Sequence, residues 1–322
     1  MEIAEFLKIS DLDKCVESMC DFLKKEIDGK FQRKGAVIGL SGGIDSAVTA
    51  ALCSKSIGSQ RVIAVIMPEK ESDPNSEKIA LNVANKFNIK IERLDITNIL
   101  ESFGVYAKKE KIVKERFHNF NDQCKYRVVI PSKLDNKIGF PILEVLDEQN
   151  IKHKIKISTE EFLSLTAATS IKHRVRMTIL YYFGEKTNSV IVGTTNKSEY
   201  LQGYFVKYGD GGSDIEPLVN LYKSQIYELG KFLDIPNEIL SKDASPDVWS
   251  YSTNDEEFFY SVPYSIVDLI LYAREKNLDI KQIENYSNLS REDIKKLLLF
   301  QNQKQNKSQH MREIPHDWKP FF

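Results

Sequence analysis

The stretch GAVIGLSGGIDSAVTAALC, residues 35–53, runs a short apolar segment into Ser41-Gly42-Gly43-Ile44-Asp45-Ser46 and then into an alanine-rich one. AVIGL reads as a strand, and AVTAALCSKSIG as a helix closed by Gly58. Where a strand becomes a helix across glycines, backbone N–H groups approach an anion closely and the helix N-terminus points at it. Ser41 and Ser46 add hydroxyl donors for phosphate oxygens, whereas Asp45 repels phosphate unless a cation lies between them. The stretch therefore asks for a polyphosphate together with a divalent metal. It has no Lys after the second glycine, so it is not G-x-x-x-x-G-K-[ST], and it is not G-x-G-x-x-G either. A tight turn with Ser as helix cap would account for Gly42-Gly43, but not for the whole S-G-G-x-D-S pattern.

Outward from this turn, residues 61–68 (RVIAVIMP) read as a second strand, 75–88 as a helix and 89–96 (IKIERLDI) as a third strand. An amphipathic helix over 11–27 precedes them. The β-α-β-α-β order predicts an α/β fold, an open, mainly parallel sheet of five strands flanked by helices. From about 105 to 165 the rhythm is lost, apart from a helix start at Ser158-Thr159-Glu160-Glu161. This segment is expected to be an insertion that caps the site. The pattern resumes with a helix over 173–188 and a strand over 189–195, and helices dominate from Leu221 onwards. The expectation is one domain, 1–322, with a helical C-terminal part and a polar tail, 300–322, that is mobile until something orders it.

Composition narrows the class. With 322 residues, 42% hydrophobic and 28% charged, and a net charge of −1, the chain reads as a soluble globular protein with no electrostatic case for nucleic acid. No apolar run approaches membrane-spanning length and the N-terminus is acidic, so the expected location is the cytoplasm, with no membrane partner. Cys15, Cys20, Cys53 and Cys124 form no C-x-x-C pair and have no His at ligand spacing, which argues for reduced thiols and against zinc.

A second segment, residues 192–230 (VGTTNKSEYLQGYFVKYGDGGSDIEPLVNLYKSQIYELG), places Glu199, Lys207, Asp210 and Asp214 after a strand end, at the rim where open α/β sheets bind ligands. S-G-G-x-D-S resembles the PP-loop of ATP pyrophosphatases. The motifs G-T-x-N-K-S-E, G-[YF]-F-x-K-Y-G-D-G-x-x-D and L-Y-K, in that order, resemble the ammonia-dependent NAD synthase family from about Ala36 to Asp255. The resemblance implies an adenine nucleotide alpha hydrolase-like, Rossmann-like fold and an ATP-dependent carbon–nitrogen ligase. Such an enzyme adenylates the carboxylate of nicotinate adenine dinucleotide and lets ammonia displace AMP.

By the same resemblance, Asp45 and Glu199 would hold Mg²⁺ against ATP, and Ser41, Gly42, Gly43 and Ser46 would cradle pyrophosphate. Lys207, Lys223 and Ser245 would neutralise phosphate charge, and Met67 and Thr194 would lie near the adenosine. Ser170, Arg174, Asp210, Asp214 and His310 would face the acid substrate. Asp210 or Asp214 would bind ammonium and help to deprotonate it. A homodimer is implied. No glutaminase segment is legible, so the nitrogen source is free ammonia or a separate supplying protein.

The substrate side departs from the family pattern. Ser170-Ile171-Lys172-His173-Arg174 stands where N-x-K-A-R is usual, and His310-Met311-Arg312 where H-K-R is usual. The stretch before Arg174 is also longer than in short bacterial members. These departures keep a second reading open, the same chemistry on another carboxylate such as a sugar uronic acid. A third reading is a catalytically silent nucleotide-binding protein. Asp45, Glu199, Lys207 and Lys223 speak against it. A tRNA-modifying PP-loop enzyme would want catalytic or cluster-binding cysteines and a basic face, and neither is evident in the sequence.

Overall fold

The computed structural model describes residues 7–130, 140–245, 247–260, 262–287 and 289–316. β1 (Gly35–Gly39) lies inside a parallel sheet, with β2 (Val62–Ile66) and then β3 (Lys90–Arg93) on one side and β7 (Ser189–Ile191) on the other. Its first four residues are buried, the pattern of a strand covered on both faces. Alternation divides them: Ala36 and Ile38 enter one apolar core, while Val37 enters a second on the opposite face.

α2 (Ile44–Ile57) lies in the first core, where Ala47, Ala50 and Ala51 let its backbone approach the sheet. α1 (Leu12–Lys24) packs against α2, and α3 (Pro74–Lys86), capped by Asp73, covers the same face. On the other face lie α4 (Thr97–Ser102), α5 (Val105–Arg116) and the 29-residue α6 (Thr159–Thr187). α6 opens on the expected capping box, Ser158 with Glu161, and continues without interruption through the helix expected over 173–188.

The described sheet has four strands rather than five. After β7 the chain adds a single parallel bridge, Val192 to Ile215, and Pro217, which has no N–H to donate, follows two residues later. Between α5 and α6, β4 (Lys125–Val129), β5 (Ile142–Leu146) and β6 (Lys152–Lys156) form a separate antiparallel sheet. It has its own apolar core, including Tyr126, Leu143 and Val145, closed by Leu165 of α6 and Trp249. Lysines alternate outward along β6, which keeps this edge strand from pairing with other chains.

The C-terminal part is helical: α7 (Lys197–Gln202), α8 (Lys223–Phe232), α9 (Asn237–Leu240), α10 (Tyr264–Glu275), α11 (Ile280–Tyr286), α12 (Arg291–Lys307) and α13 (Gln309–Arg312). Most of the segment expected to be a mobile tail is therefore ordered helix. Gln301 is buried and donates to Val267 O, and Arg312 donates to Tyr200 O. Residues 317–322 lie outside the described residues.

Candidate active site

A cavity of about 1040 Å³ opens at the carboxyl ends of β1, β2 and β7. At that size it stands at the upper end of the roughly 300–1,000 Å³ span of small-molecule sites. Its floor is the turn from β1 into α2. Gly42 has φ +81°, and a Cβ there would stand 2.5 Å from Ser76 O, so only glycine fits. Ser46 Oγ donates to Gly43 O (2.9 Å), and Ser41 Oγ accepts from Gly43 N–H (3.2 Å). Gly43 is the N-cap of α2 and no side chain caps the helix, which leaves first-turn amides for an anion. Gly42→Ala should cost about 1–3 kcal/mol in backbone strain and, where that strain falls on the anion-binding turn, weaken ATP binding by about 5- to 140-fold, since each 1.4 kcal/mol is tenfold in affinity. Calorimetric titration with an ATP analogue checks this, and unchanged affinity would mean that the turn does not hold phosphate.

Beside the floor, Lys223 Nζ sits 2.5 Å from Asp45 Oδ2 and 3.3 Å from Glu199 Oε1, with the lysine side chain only 3% exposed. Burial alone would lower the lysine, but Asp45, Glu199 and Asp255 outweigh it and hold the ammonium well above its ordinary range. Burial, opposed by Lys223 and reinforced by Asp45, pushes Glu199 up to about 8. Asn196, which the sequence reading missed, is fully buried. It donates to Asp45 Oδ1 (3.0 Å) and caps α7, where its side chain and that of Glu199 bond each other's backbone N–H. The N-x-x-E spacing of a capping box was the available signal. Asp255, at the start of the helical turn that runs to Tyr260, is a buried acceptor for the Tyr204 and Tyr264 hydroxyls, both at 2.8 Å.

Met67 and Thr194 line the cavity at strand ends, and Ser245 lines it from the loop before Val248. On the opposite wall α6 presents Ser170, His173 and Arg174. Asp210 lines the same wall. Its carboxylate accepts from Val206 N–H (2.8 Å) and lies 3.7 Å from His173 Nδ1. Burial, against the pull of Asp210, keeps the His173 ring below its usual pKa.

Two expected site residues behave differently. Asp214 is not among the lining residues: its carboxylate accepts from Tyr181 OH (3.0 Å) and Ile191 N–H (2.8 Å) and so fastens the edge of β7. On the side of β7 that faces away from β1 the Ile191 N–H needs an acceptor, and the Asp214 carboxylate supplies it. Lys207 lines the cavity but donates to two backbone carbonyls of the C-terminal turn, His310 O and Glu313 O, both at 2.8 Å. Through them it ties the cavity-lining His310 to the rim.

Glu216 was also missed. It accepts from Ser213 Oγ (2.6 Å) and Thr195 N–H (3.1 Å), and a Cβ on Gly193 would collide with it. Burial pushes its carboxyl up to about 7 from 4.5, against those two hydrogen bonds. The folded state thus holds this proton more tightly. The contribution to stability is complete below about pH 4.5 and is lost as pH rises through about 7, worth up to about 3 kcal/mol. Glu216→Gln should therefore flatten the fall in Tm between pH 5 and 8, read by calorimetry on both proteins. Parallel curves would remove Glu216 as the cause.

The parallel sheet, the uncapped glycine turn and the carboxylates gathered on Lys223 define an α/β nucleotide-binding protein of the PP-loop kind. The NAD synthase family model matches residues 15–145 and 141–315, and the chain belongs to that family. The NH3-dependent NAD+ synthetase of Thermotoga neapolitana is 36% identical over 299 residues, 93% of this chain and 94% of the relative. Among solved structures, NMN synthetase from Francisella tularensis matches with a TM-score of 0.67 at 27% identity, covering 98% of this chain and all of the other. The NH3-dependent NAD synthetase from Campylobacter jejuni matches with a TM-score of 0.64 at 25% identity, covering 96% of this chain and all of the other. The family match extends through the antiparallel sheet, so that segment is part of the aligned chain.

Proposed function

We infer that the protein is an ATP-dependent ligase that amidates nicotinate adenine dinucleotide with ammonia, giving NAD, AMP and pyrophosphate. The observation that carries this reading is the shared cavity. One wall is an anion-binding turn with the Asp45–Lys223–Glu199 cluster, and the other is the polar face of α6 with Ser170 and Arg174.

A carboxylate is a poor electrophile, so the acid oxygen first attacks the α-phosphorus and pyrophosphate leaves. The α2 amides and the hydroxyls of Ser41 and Ser46 receive its negative charge, with Lys223 close by. Ammonium gives up a proton to Asp210 at the α6 wall, and the ammonia attacks the acyl-adenylate carbonyl. AMP leaves with the electrons of the C–O bond, a second proton is lost from nitrogen, and an amide remains.

Asp45 and Glu199 suit Mg²⁺, because two hard oxygen donors are what such an ion takes from protein when nucleotide phosphates complete its shell. When bound it would offset charge on the leaving phosphates. The reading also carries a cytoplasmic location, where ATP is supplied, and a homodimer. Sedimentation velocity on the 37.0 kDa chain checks the dimer. No helix among the described residues is long and apolar enough to cross a membrane.

The test is purified protein with ATP, Mg²⁺, ammonium and nicotinate adenine dinucleotide, following pyrophosphate and NAD together. Stoichiometric release supports the reading, and silence from protein that binds ATP sinks it. Nicotinate mononucleotide belongs in the same assay, because the Francisella tularensis neighbour is an NMN synthetase. A kcat/KM that favours the mononucleotide would change the acid and leave the phosphate chemistry in place.

A further inference from the structure

Four charged side chains outside the reacting groups are among the most buried in the molecule. Lys109 of α5 and Lys172 of α6 are fully buried, and they meet Glu69 and Glu71 of the loop after β2, whose side chains are 0% and 6% exposed. Lys172 Nζ donates to Glu69 Oε1 and Glu71 Oε2, both at 2.5 Å, and Lys109 Nζ donates to Glu71 Oε2 at 2.5 Å. Both lysines also donate to Val248 O, at 3.0 and 3.1 Å. Tyr106 OH donates to Glu69 Oε2 (2.7 Å), and Tyr126 OH donates to Glu71 Oε1 (3.0 Å). The Trp249 ring covers Lys109 at 4.5 Å. Two positive charges face two negative ones, and all four carboxylate oxygens have partners.

What these groups join is the point. The loop bearing Glu69 and Glu71 lines the nucleotide side of the cavity through Met67, Lys70 and Asp73. Lys172 lies on the helix that presents Ser170 and Arg174, Val248 and Trp249 follow Ser245, and Tyr126 belongs to the antiparallel sheet. In a low dielectric none of these groups can move alone without leaving a charge unpaired, so a displacement of the loop is passed on rather than absorbed. We propose that the Glu69–Glu71–Lys109–Lys172 network transmits occupancy of the nucleotide subsite to the antiparallel sheet and to the acid-binding face of α6, with Glu71 and Lys109 as positioning residues. The proposal rests on the functional reading only in requiring that nucleotide bind beside β2.

Hydrogen–deuterium exchange on the full chain, with and without Mg²⁺ and α,β-methylene-ATP, tests it. In the parent, the analogue should slow exchange at least fivefold in α5 and in β4 to β6. Glu71→Gln combined with Lys109→Met removes one charge of each sign and leaves the Lys172–Glu69 pair. This double variant should bind the analogue within threefold of the parent and lose the distant protection. Tyr126→Phe, which deletes only the hydroxyl between Glu71 and β4, should at least halve the protection in the sheet and keeps the test decisive should the double variant not fold. Bound analogue without protection in the parent, or undiminished protection in either folded variant, overturns the proposal. A parent that does not bind the analogue overturns both the coupling and the functional reading. Failure to form NAD sinks the functional reading alone, because exchange requires only the nucleotide.

Discussion

Asp45→Asn is expected to lower kcat for pyrophosphate release by about 10²–10³-fold, the usual scale for losing one electrostatic contributor to a developing charge, while the fold is retained. Asn keeps the shape of Asp, and its Oδ1 can still accept from Asn196, which now donates at 3.0 Å. The other oxygen becomes an NH2 group facing Lys223 Nζ, which lies 2.5 Å from Asp45 Oδ2 and is 3% exposed. Two donors then face each other, Lys223 keeps Glu199 as its carboxylate at 3.3 Å, and the oxygen pair suited to Mg²⁺ is halved. Steady-state pyrophosphate release beside a thermal melt separates catalysis from folding. Full activity would mean that the phosphate-side charge is managed elsewhere.

Lys172→Met is expected to destabilise the protein by about 3–5 kcal/mol, the cost of removing one partner from a buried pair and leaving the other charge behind. Two carboxylate oxygens, one from Glu69 and one from Glu71, each lie 2.5 Å from Lys172 Nζ, and the two side chains are only 0% and 6% exposed. The contrast is Lys14, paired with Asp11 at 3.0 Å on the surface with the lysine 83% exposed. Lys14→Met should change stability by less than about 1 kcal/mol. Urea denaturation of both variants measures the difference, and a loss below about 1 kcal/mol for Lys172→Met would show that the carboxylates find protons or solvent once the lysine is gone.

The two substitutions differ in how visible their residues are in the sequence. Asp45 lies in a local pattern, a strand, two glycines and a helix start, in which each residue's task follows from neighbours within a few positions. Lys172 keeps the K of N-x-K-A-R, but that motif does not name the groups it meets. It lies two residues from the expected substrate residue Ser170 on an α6 face that periodicity marks only as polar, and its partners are 103 and 101 residues away in sequence. Asp214 shows the opposite error. Its place beside three glycines suggested a ligand-facing carboxylate, yet β7 needed an acceptor for Ile191 N–H and took it. Lys207 lines the cavity as expected, yet a motif could not show that its ammonium also meets the carbonyls of His310 and Glu313, more than 100 residues later.

By itself the sequence determined the parallel sheet, the strand–glycine turn–helix and the family, because these rest on periods of two and 3.6 residues, on glycine conformations and on contiguous motifs. Tertiary structure alone decided that β4, β5 and β6 form a second sheet, that the sheet around β1 has four strands among the described residues, and that a neutral buried charge network ties the cavity walls together. The physical reason is range. Backbone preference and helix capping act over a few residues, whereas strand pairing and the burial of a lysine depend on which distant groups arrive to satisfy them, and only the packed chain fixes that.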